Sequence, residues 1–145
     1  MTMNKINIKN AMLIKFYSEN KDIDIIRNYV FHHIMNGKYI DRGEKFKLTI
    51  FFAENKNINL SIQRTLSMDR LRTIRCRLAR NPNIDISIQK ILVNDHDPEV
   101  RCALVYNGNL DTSIIDILRK DENADIRFAC RAIIDKHVFV GNEQI

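Results

Sequence analysis

Apolar residues recur four apart through the second half of this chain. Ile58, Ile62 and Leu66 form one stripe, Ile84, Ile88 and Leu92 a second, and Leu110, Ile114 and Leu118 a third. A spacing of four places such residues on one face of a helix, whereas a half-buried strand alternates at two. Each stripe begins beside a residue suited to accept from free helical amides: Asn59, Asp85 and Asp111. A second kind of helix precedes these stripes and is clearest in DPEVRCALVY. There Asp97 reads as N-cap, and Pro98 occupies the first helical position, where its missing N–H costs nothing. Glu99 suits the positive end of the dipole, and Val100 and Leu104 share a face. This helix is expected to stop at Asn107-Gly108-Asn109, a turn containing a residue that accepts positive φ.

The stripes are copies. RCRLARNPNIDISIQKILVND from Arg75 aligns with RCALVYNGNLDTSIIDILRKD from Arg101, an offset of 26 residues. Without a gap, Asn55, Asn81 and Asn107 form a column, as do Asp69, Asp95 and Asp121, and also Ile74, Val100 and Ile126. A fixed period of this size marks stacked supersecondary units that bury their apolar faces against their neighbours. The pattern weakens upstream, where FYSEN at residues 16–20 resembles FFAEN at residues 51–55. Helices are expected over residues 10–19, 22–35 and 44–54, the last opened by Asp41 and Glu44 as a capping pair. A final helix is expected over residues 124–136. Val138 and Phe139 in the tail would cover the end of the stack. The chain is thus read as one domain: a degenerate N-terminal repeat over residues 1–45, regular repeats over 46–137 and a tail over 138–145.

Composition adds limits. The 145 residues suit a single domain, and with only 2 Pro and 4 Gly there is no flexible-linker segment. No run reaches the roughly 18 apolar residues of a membrane span. The first twenty residues carry a charge or amide every few positions, so a cytoplasmic protein without membrane attachment is expected. Cys76 and Cys102 occupy one repeat column, so stacking would hold them about 8–10 Å apart, beyond the roughly 7 Å Cα limit of a disulfide. They are read, with Cys130, as small buried apolar residues.

The stretch DHDPEVRCALVYNGNLDTSIIDILRKDENADIRFAC resembles the leucine-rich repeat variant, a HEAT-like α-solenoid family. The resemblance is carried by Asp95, Asp97, Val100, Arg101, Asn107, Asn109 and Leu118. Ile74, Arg75, Asn81, Pro82 and Leu92 carry it in the copy before, and Asp121, Ile126 and Arg127 in the copy after. It covers about residues 46–134. It implies an all-α fold, a short right-handed α-solenoid of stacked helix pairs with 26-residue repeats. Some members precede their repeats with a cysteine-rich iron–sulfur module. No cysteine precedes Cys76 here, and no cofactor is expected.

Charge singles out candidate sites. The net charge of +5 is uneven, because residues 61–80 hold six arginines against Asp69 alone. Arg75, Arg101 and Arg127 repeat beside Asp69, Asp95 and Asp121, and the favoured reading is a ladder between repeats rather than a phosphate site. The other five break their columns. Arg77 stands where the copies have Ala103 and Ala129, and Arg80 where they have Tyr106 and Ala132. Arg70 replaces His96 and Glu122, Arg72 replaces Pro98 and Ala124, and Arg64 aligns with Lys90 and Asp116. Exposed arginines suit carboxylate or phosphate partners, so Arg64, Arg70, Arg72, Arg77 and Arg80 are the candidate partner-binding residues. Adjacent His32 and His33 point apart on a helix, His96 and His137 lie far off, and no Gly-rich phosphate loop or nucleophile elbow occurs, so neither metal nor catalytic residues are expected. The expectation is a non-enzymatic protein-binding module, a small inhibitor of the immunity or antitoxin kind that docks on a toxin or enzyme, itself a monomer or weak homodimer. The alternative is nucleic-acid binding through the basic segment, against which stand the absence of Trp and a net acidic C-terminal half.

Overall fold

A computed structural model describes residues 35–36 and 42–140, with the side chains of residue 44 and residues 134–140 excepted. Seven α-helices and no strand make up the described residues from 42 onward. They are α1 (Arg42–Glu54), α2 (Leu60–Ser67), α3 (Arg72–Ala79), α4 (Ile86–Leu92), α5 (Pro98–Val105), α6 (Thr112–Leu118) and α7 (Ala124–Val140). None of the helices among the described residues is long and apolar enough to cross a membrane. The described residues are all-α, as the four-residue spacing predicts. The helices expected over residues 10–19 and most of 22–35, the Asp41–Glu44 cap and His32–His33 lie outside the described residues.

Local chemistry sets where each helix starts. The Asn59 side chain accepts from the Ile62 N–H, Asp85 from Ser87 and Asp111 from Ser113, so all three expected caps form. Asp97 accepts from the Glu99 N–H with Pro98 in the first turn, while Leu71, at the N-cap position of α3, supplies no side-chain cap. Gly108 takes φ +77°, the left-handed turn expected after α5. One boundary differs from expectation: α7 runs to Val140 rather than stopping at 136, so the tail assigned to residues 138–145 begins later. No Gly or Pro lies between Ala124 and Gly141, so nothing in the sequence interrupts the helix sooner.

The stripes form the core. Ile62, Leu66, Ile74, Leu78, Ile88, Leu92, Val100, Leu104, Ile114 and Leu118 are fully buried, and Phe52, Ile126 and Cys130 close the same cluster. Helix α3 packs between α1 and α5, and α5 between α3 and α7, while α2 packs on α3 and α4. This layout puts one side of α1, α3, α5 and α7 in a common row.

Buried polar residues lock neighbouring helices together. The last carbonyls of a helix have no partner within it. Asn81 Nδ2 answers this for α1 by donating to the Ala53 and Asn55 carbonyls at 2.9 and 2.8 Å. Asn107 Nδ2 does the same for α3, donating to Ala79 and Asn81 at 2.7 Å each. Each asparagine then accepts from the N–H two residues on, Asn83 and Asn109 respectively. Gln63 and Gln89 form a second set. Gln63 donates to the Ile58 and Asn83 carbonyls and accepts from Asp85 N–H. Gln89 repeats this with Ile84, Asn109 and Asp111.

Candidate functional site

The arginines divide into two populations. Arg75 reaches forward to Asp95, Nε to Oδ2 at 2.7 Å and Nη2 to Oδ1 at 3.1 Å, and its Nη1 donates to the Asp69 carbonyl at 2.7 Å. Arg101 repeats the arrangement with Asp121 at 2.8 and 3.1 Å and with the Asp95 carbonyl at 2.8 Å, adding Glu122 at 3.2 Å. Arg127 donates to the Asp121 and Glu122 carbonyls. The paired side chains are buried, Arg75 and Asp95 each 7% exposed, so each fork-to-fork pair sits away from water. Burial pushes the Asp95 and Asp121 carboxyls up. The bonds from Arg75 and Arg101, with backbone N–H groups of Asp97 and Asn123, outweigh it and hold both below the ordinary carboxylate value. The bond to its carboxylate raises each guanidinium in turn, against burial. Arg75 and Arg101 are joints between helices, the ladder reading with the carboxylate supplied by the following copy, whereas Arg127 bonds only the carbonyls of the turn before its own helix.

The second population is exposed: Arg64, Arg70, Arg72, Arg77 and Arg80 all face solvent. The structure gathers three of them. Arg72, Arg77 and Arg80 border one open cleft of about 320 Å³ between α3 and α5, with Cys76, Cys102 and Glu99 among its other walls. Arg64 lies on the last turn of α2 and Arg70 in the turn that follows, and neither borders the cleft.

Each cleft arginine is held by a residue of a neighbouring helix or its end. Arg72 Nη1 donates to Glu99 Oε1 at 2.8 Å, with Asp97 Oδ2 at 3.7 Å. Arg77 Nη1 donates to Glu54 Oε1 at 2.7 Å. The Arg80 guanidinium carbon lies 5.5 Å from the centre of the Tyr106 ring, a cation–π arrangement. Columns that break the apolar pattern therefore still make contacts between helices. Half-exposed ion pairs of this kind contribute only about 0–1 kcal/mol to stability, so their main effect is to orient the side chains.

The cysteines differ from expectation. Cys130 is buried, but Cys76 and Cys102 are half-buried, because their column lies on the shoulder of α3 and α5 rather than on the core stripe. None of the three forms a disulfide. Burial pushes the Cys76 and Cys102 thiols up, with nearby carboxylates adding to the effect and arginines opposing it. Both are therefore neutral S–H groups at neutral pH and poor nucleophiles. Among the described residues no three His, Cys, Asp or Glu side chains converge on a metal-sized site.

The same helices carry exposed aromatic side chains. Phe46 and Phe51 on α1 and Tyr106 at the end of α5 are exposed, and Phe128 on α7 is 74% exposed. Sequence reasoning did not single these out. The signal was available: Phe51 shares a column with Arg77, and Tyr106 with Arg80. The Gln63 and Gln89 set, also 26 apart, was likewise unread. Comparison of the chain with family models, curated proteins and solved structures finds no match.

Proposed function

We propose that this chain is a short right-handed α-solenoid with a 26-residue repeat that serves as a non-enzymatic protein-binding module. In its concrete form it is a small cytoplasmic inhibitor of the immunity or antitoxin kind, acting as a monomer or weak homodimer. The observation that carries the reading is the row of exposed side chains along α1, α3, α5 and α7. Arg72, Arg77, Arg80 and Tyr106 are held there by inter-helix contacts on a scaffold fixed by buried ladders, with Phe51 and Phe128 exposed on the same helices. These are the residue types that anchor protein interfaces, because they bring large contact area and bidentate bonding at small entropic loss when already oriented. The equal spacing of α2, α4 and α6, starting at residues 60, 86 and 112, and of α3, α5 and α7, starting at 72, 98 and 124, supports the solenoid.

The alternative is nucleic-acid binding by the basic segment at residues 64–80, favoured by its six arginines. Against it, Arg75 is used in the ladder, and Glu54, Asp97 and Glu99 lie among the cleft arginines. A backbone-tracking groove needs unbroken positive charge.

The test is capture of partners by the tagged protein from its native cell, with and without nuclease. A nuclease-resistant, stoichiometric protein partner is expected. Loss of everything bound on nuclease treatment, with nucleic acid in the untreated eluate, rejects the module in favour of the alternative.

A further inference from the structure

The turn between α2 and α3 departs from its two copies in a way that neither packing nor helix formation asks for. Met68 and Leu71 are 66% and 45% exposed there. The equivalent positions hold Asn94 and Asp97 in the next copy, and Lys120 and Asn123 in the one after. Asp97 and Asn123 accept from the Glu99 and Asp125 N–H groups at 2.9 and 2.8 Å, close to the starts of their helices. Leu71 occupies the N-cap position and has no acceptor to offer, so α3 starts without the bond that a short polar residue gives a helix. Two guanidiniums flank the exposed pair. Arg64 lies one helical turn before Met68, and Arg70 adjoins Leu71. Both are exposed, and neither side chain makes an ion pair or hydrogen bond among the described residues. Asp69 between them accepts from the Leu71 N–H at 2.8 Å, and Arg72 is already held by Glu99 and Asp97. What matters for recognition is that the donors of Arg64 and Arg70 are unused.

We infer that this turn is a docking point for a partner protein, taking an apolar patch edged by aspartate or glutamate. Met68 and Leu71 enter the patch, and Arg64 and Arg70 bond its acidic edge. The inference rests on the protein-binding reading and names a contact for it. Met and Arg are enriched at protein interfaces, where a few side chains carry most of the binding. A bilayer is the poorer fit. Two part-exposed side chains bring less apolar area than the single acyl chain that holds a protein to a membrane only marginally. The chain's own first 41 residues fit poorly too, since their six basic and four acidic residues bring like charge to Arg64 and Arg70.

The test is a titration of the full chain with a synthetic amphipathic helix whose leucine stripe is edged by glutamates, read by NMR at the Met68 methyl and the Arg70 Nε–H. Both signals are expected to shift saturably, and a helix with lysine in place of glutamate to shift neither. M68S/L71S should bind at least about tenfold more weakly. Leu71→Asp separates docking from structure. It reproduces the Asp95 and Asp97 arrangement of the next turn, so it should raise the urea midpoint by restoring a cap while binding as weakly as M68S/L71S. Circular dichroism checks that both variants remain folded. Parent-like binding by M68S/L71S overturns the inference. So does a lowered midpoint for Leu71→Asp, which makes Leu71 a packing residue. Tighter, Met68-dependent binding to vesicles of phosphatidylserine and phosphatidylcholine in equal parts overturns it by assigning the turn to a membrane. Concentration-dependent dimers in sedimentation that M68S/L71S abolishes overturn it in favour of a second copy, whose residues 81–145 are net acidic. A captured protein partner that M68S/L71S retains in full overturns the turn and leaves the module standing. Capture of no protein overturns the module itself.

Discussion

Asn107→Ala tests whether the buried asparagines, and not only the apolar stripes, hold consecutive helices together. The side chain is 3% exposed and makes three hydrogen bonds: two donated to the Ala79 and Asn81 carbonyls at 2.7 Å, one accepted from the Asn109 N–H at 3.1 Å. Truncation leaves a carbonyl from the last turn of α3, the carbonyl of Asn81 and a turn amide without these partners. A hydrogen bond contributes about 1 kcal/mol net, and a buried group left unpaired costs about 1–3 kcal/mol. The expected loss is therefore roughly 2–4 kcal/mol, against a typical total of about 5–15 kcal/mol for a folded domain. Urea unfolding followed by far-UV circular dichroism measures it from the shift in midpoint at unchanged slope. Asn94→Ala is the control. Its Nδ2 also donates to a carbonyl, Lys90, but in the open, and its loss should lie within about 0.5 kcal/mol. Asn107→Asp should be worse than Asn107→Ala, because it keeps the acceptor for Asn109 while turning a carboxylate oxygen against two carbonyls. A loss below about 0.5 kcal/mol for Asn107→Ala, or an aspartate better tolerated than alanine, refutes the argument.

Three further outcomes follow from the same geometry. Asp95 and Asp121 lie below the ordinary carboxylate value when folded, so their contribution is fully present above about pH 3.9 and is lost as pH falls through the lower folded values. Arg75 and Arg101 are raised, so theirs fails only in strong base. Urea midpoints measured downward from neutral pH should drop below about pH 4, and the D95N/D121N variant should begin lower and fall less. Arg101→Ala strands the buried Asp121 carboxylate and should cost about 3–5 kcal/mol by the same unfolding assay, whereas Arg72→Ala, an exposed pair, should cost under about 1 kcal/mol. Phe128→Ser should leave the unfolding midpoint unchanged while lowering recovery of the protein partner, since the ring is three-quarters exposed and adds area only to an interface.

Much of this fold was readable before any coordinates. Helices, their starts and their buried faces follow from interactions within a few residues. A four-residue apolar spacing makes a stripe, and a short polar side chain two or three positions before a free amide caps it. Ile62, Ile88 and Ile114 needed no neighbour to declare their burial, and Asp97-Pro98 declared the start of α5. The 26-residue columns carried further. Residues that repeat at one position must meet their counterparts across a seam, so the pairing of the repeated arginines and aspartates was foreseeable. That Arg75 takes Asp95 rather than Asp69 as its carboxylate depends on how far a guanidinium reaches across two packed helices, which the spacing does not state. The repeat period ends near residue 136, but α7 continues to Val140 because no Gly or Pro interrupts it there.

The surface required tertiary structure. Five arginines close in sequence look like one patch. Once α2 and α3 point in different directions, Arg72, Arg77 and Arg80 border a cleft and Arg64 and Arg70 do not. Cys76 and Cys102 read as core from their type and are half-buried, because their exposure depends on the shoulder α5 leaves open against α3. Glu54 and Tyr106 meet the cleft arginines only when α1, α3 and α5 lie side by side. Burial is written into the chain by local periodicity, so the sequence states it directly. A surface cluster is made of residues whose distance apart is set by packing, so it exists only once the helices are assembled.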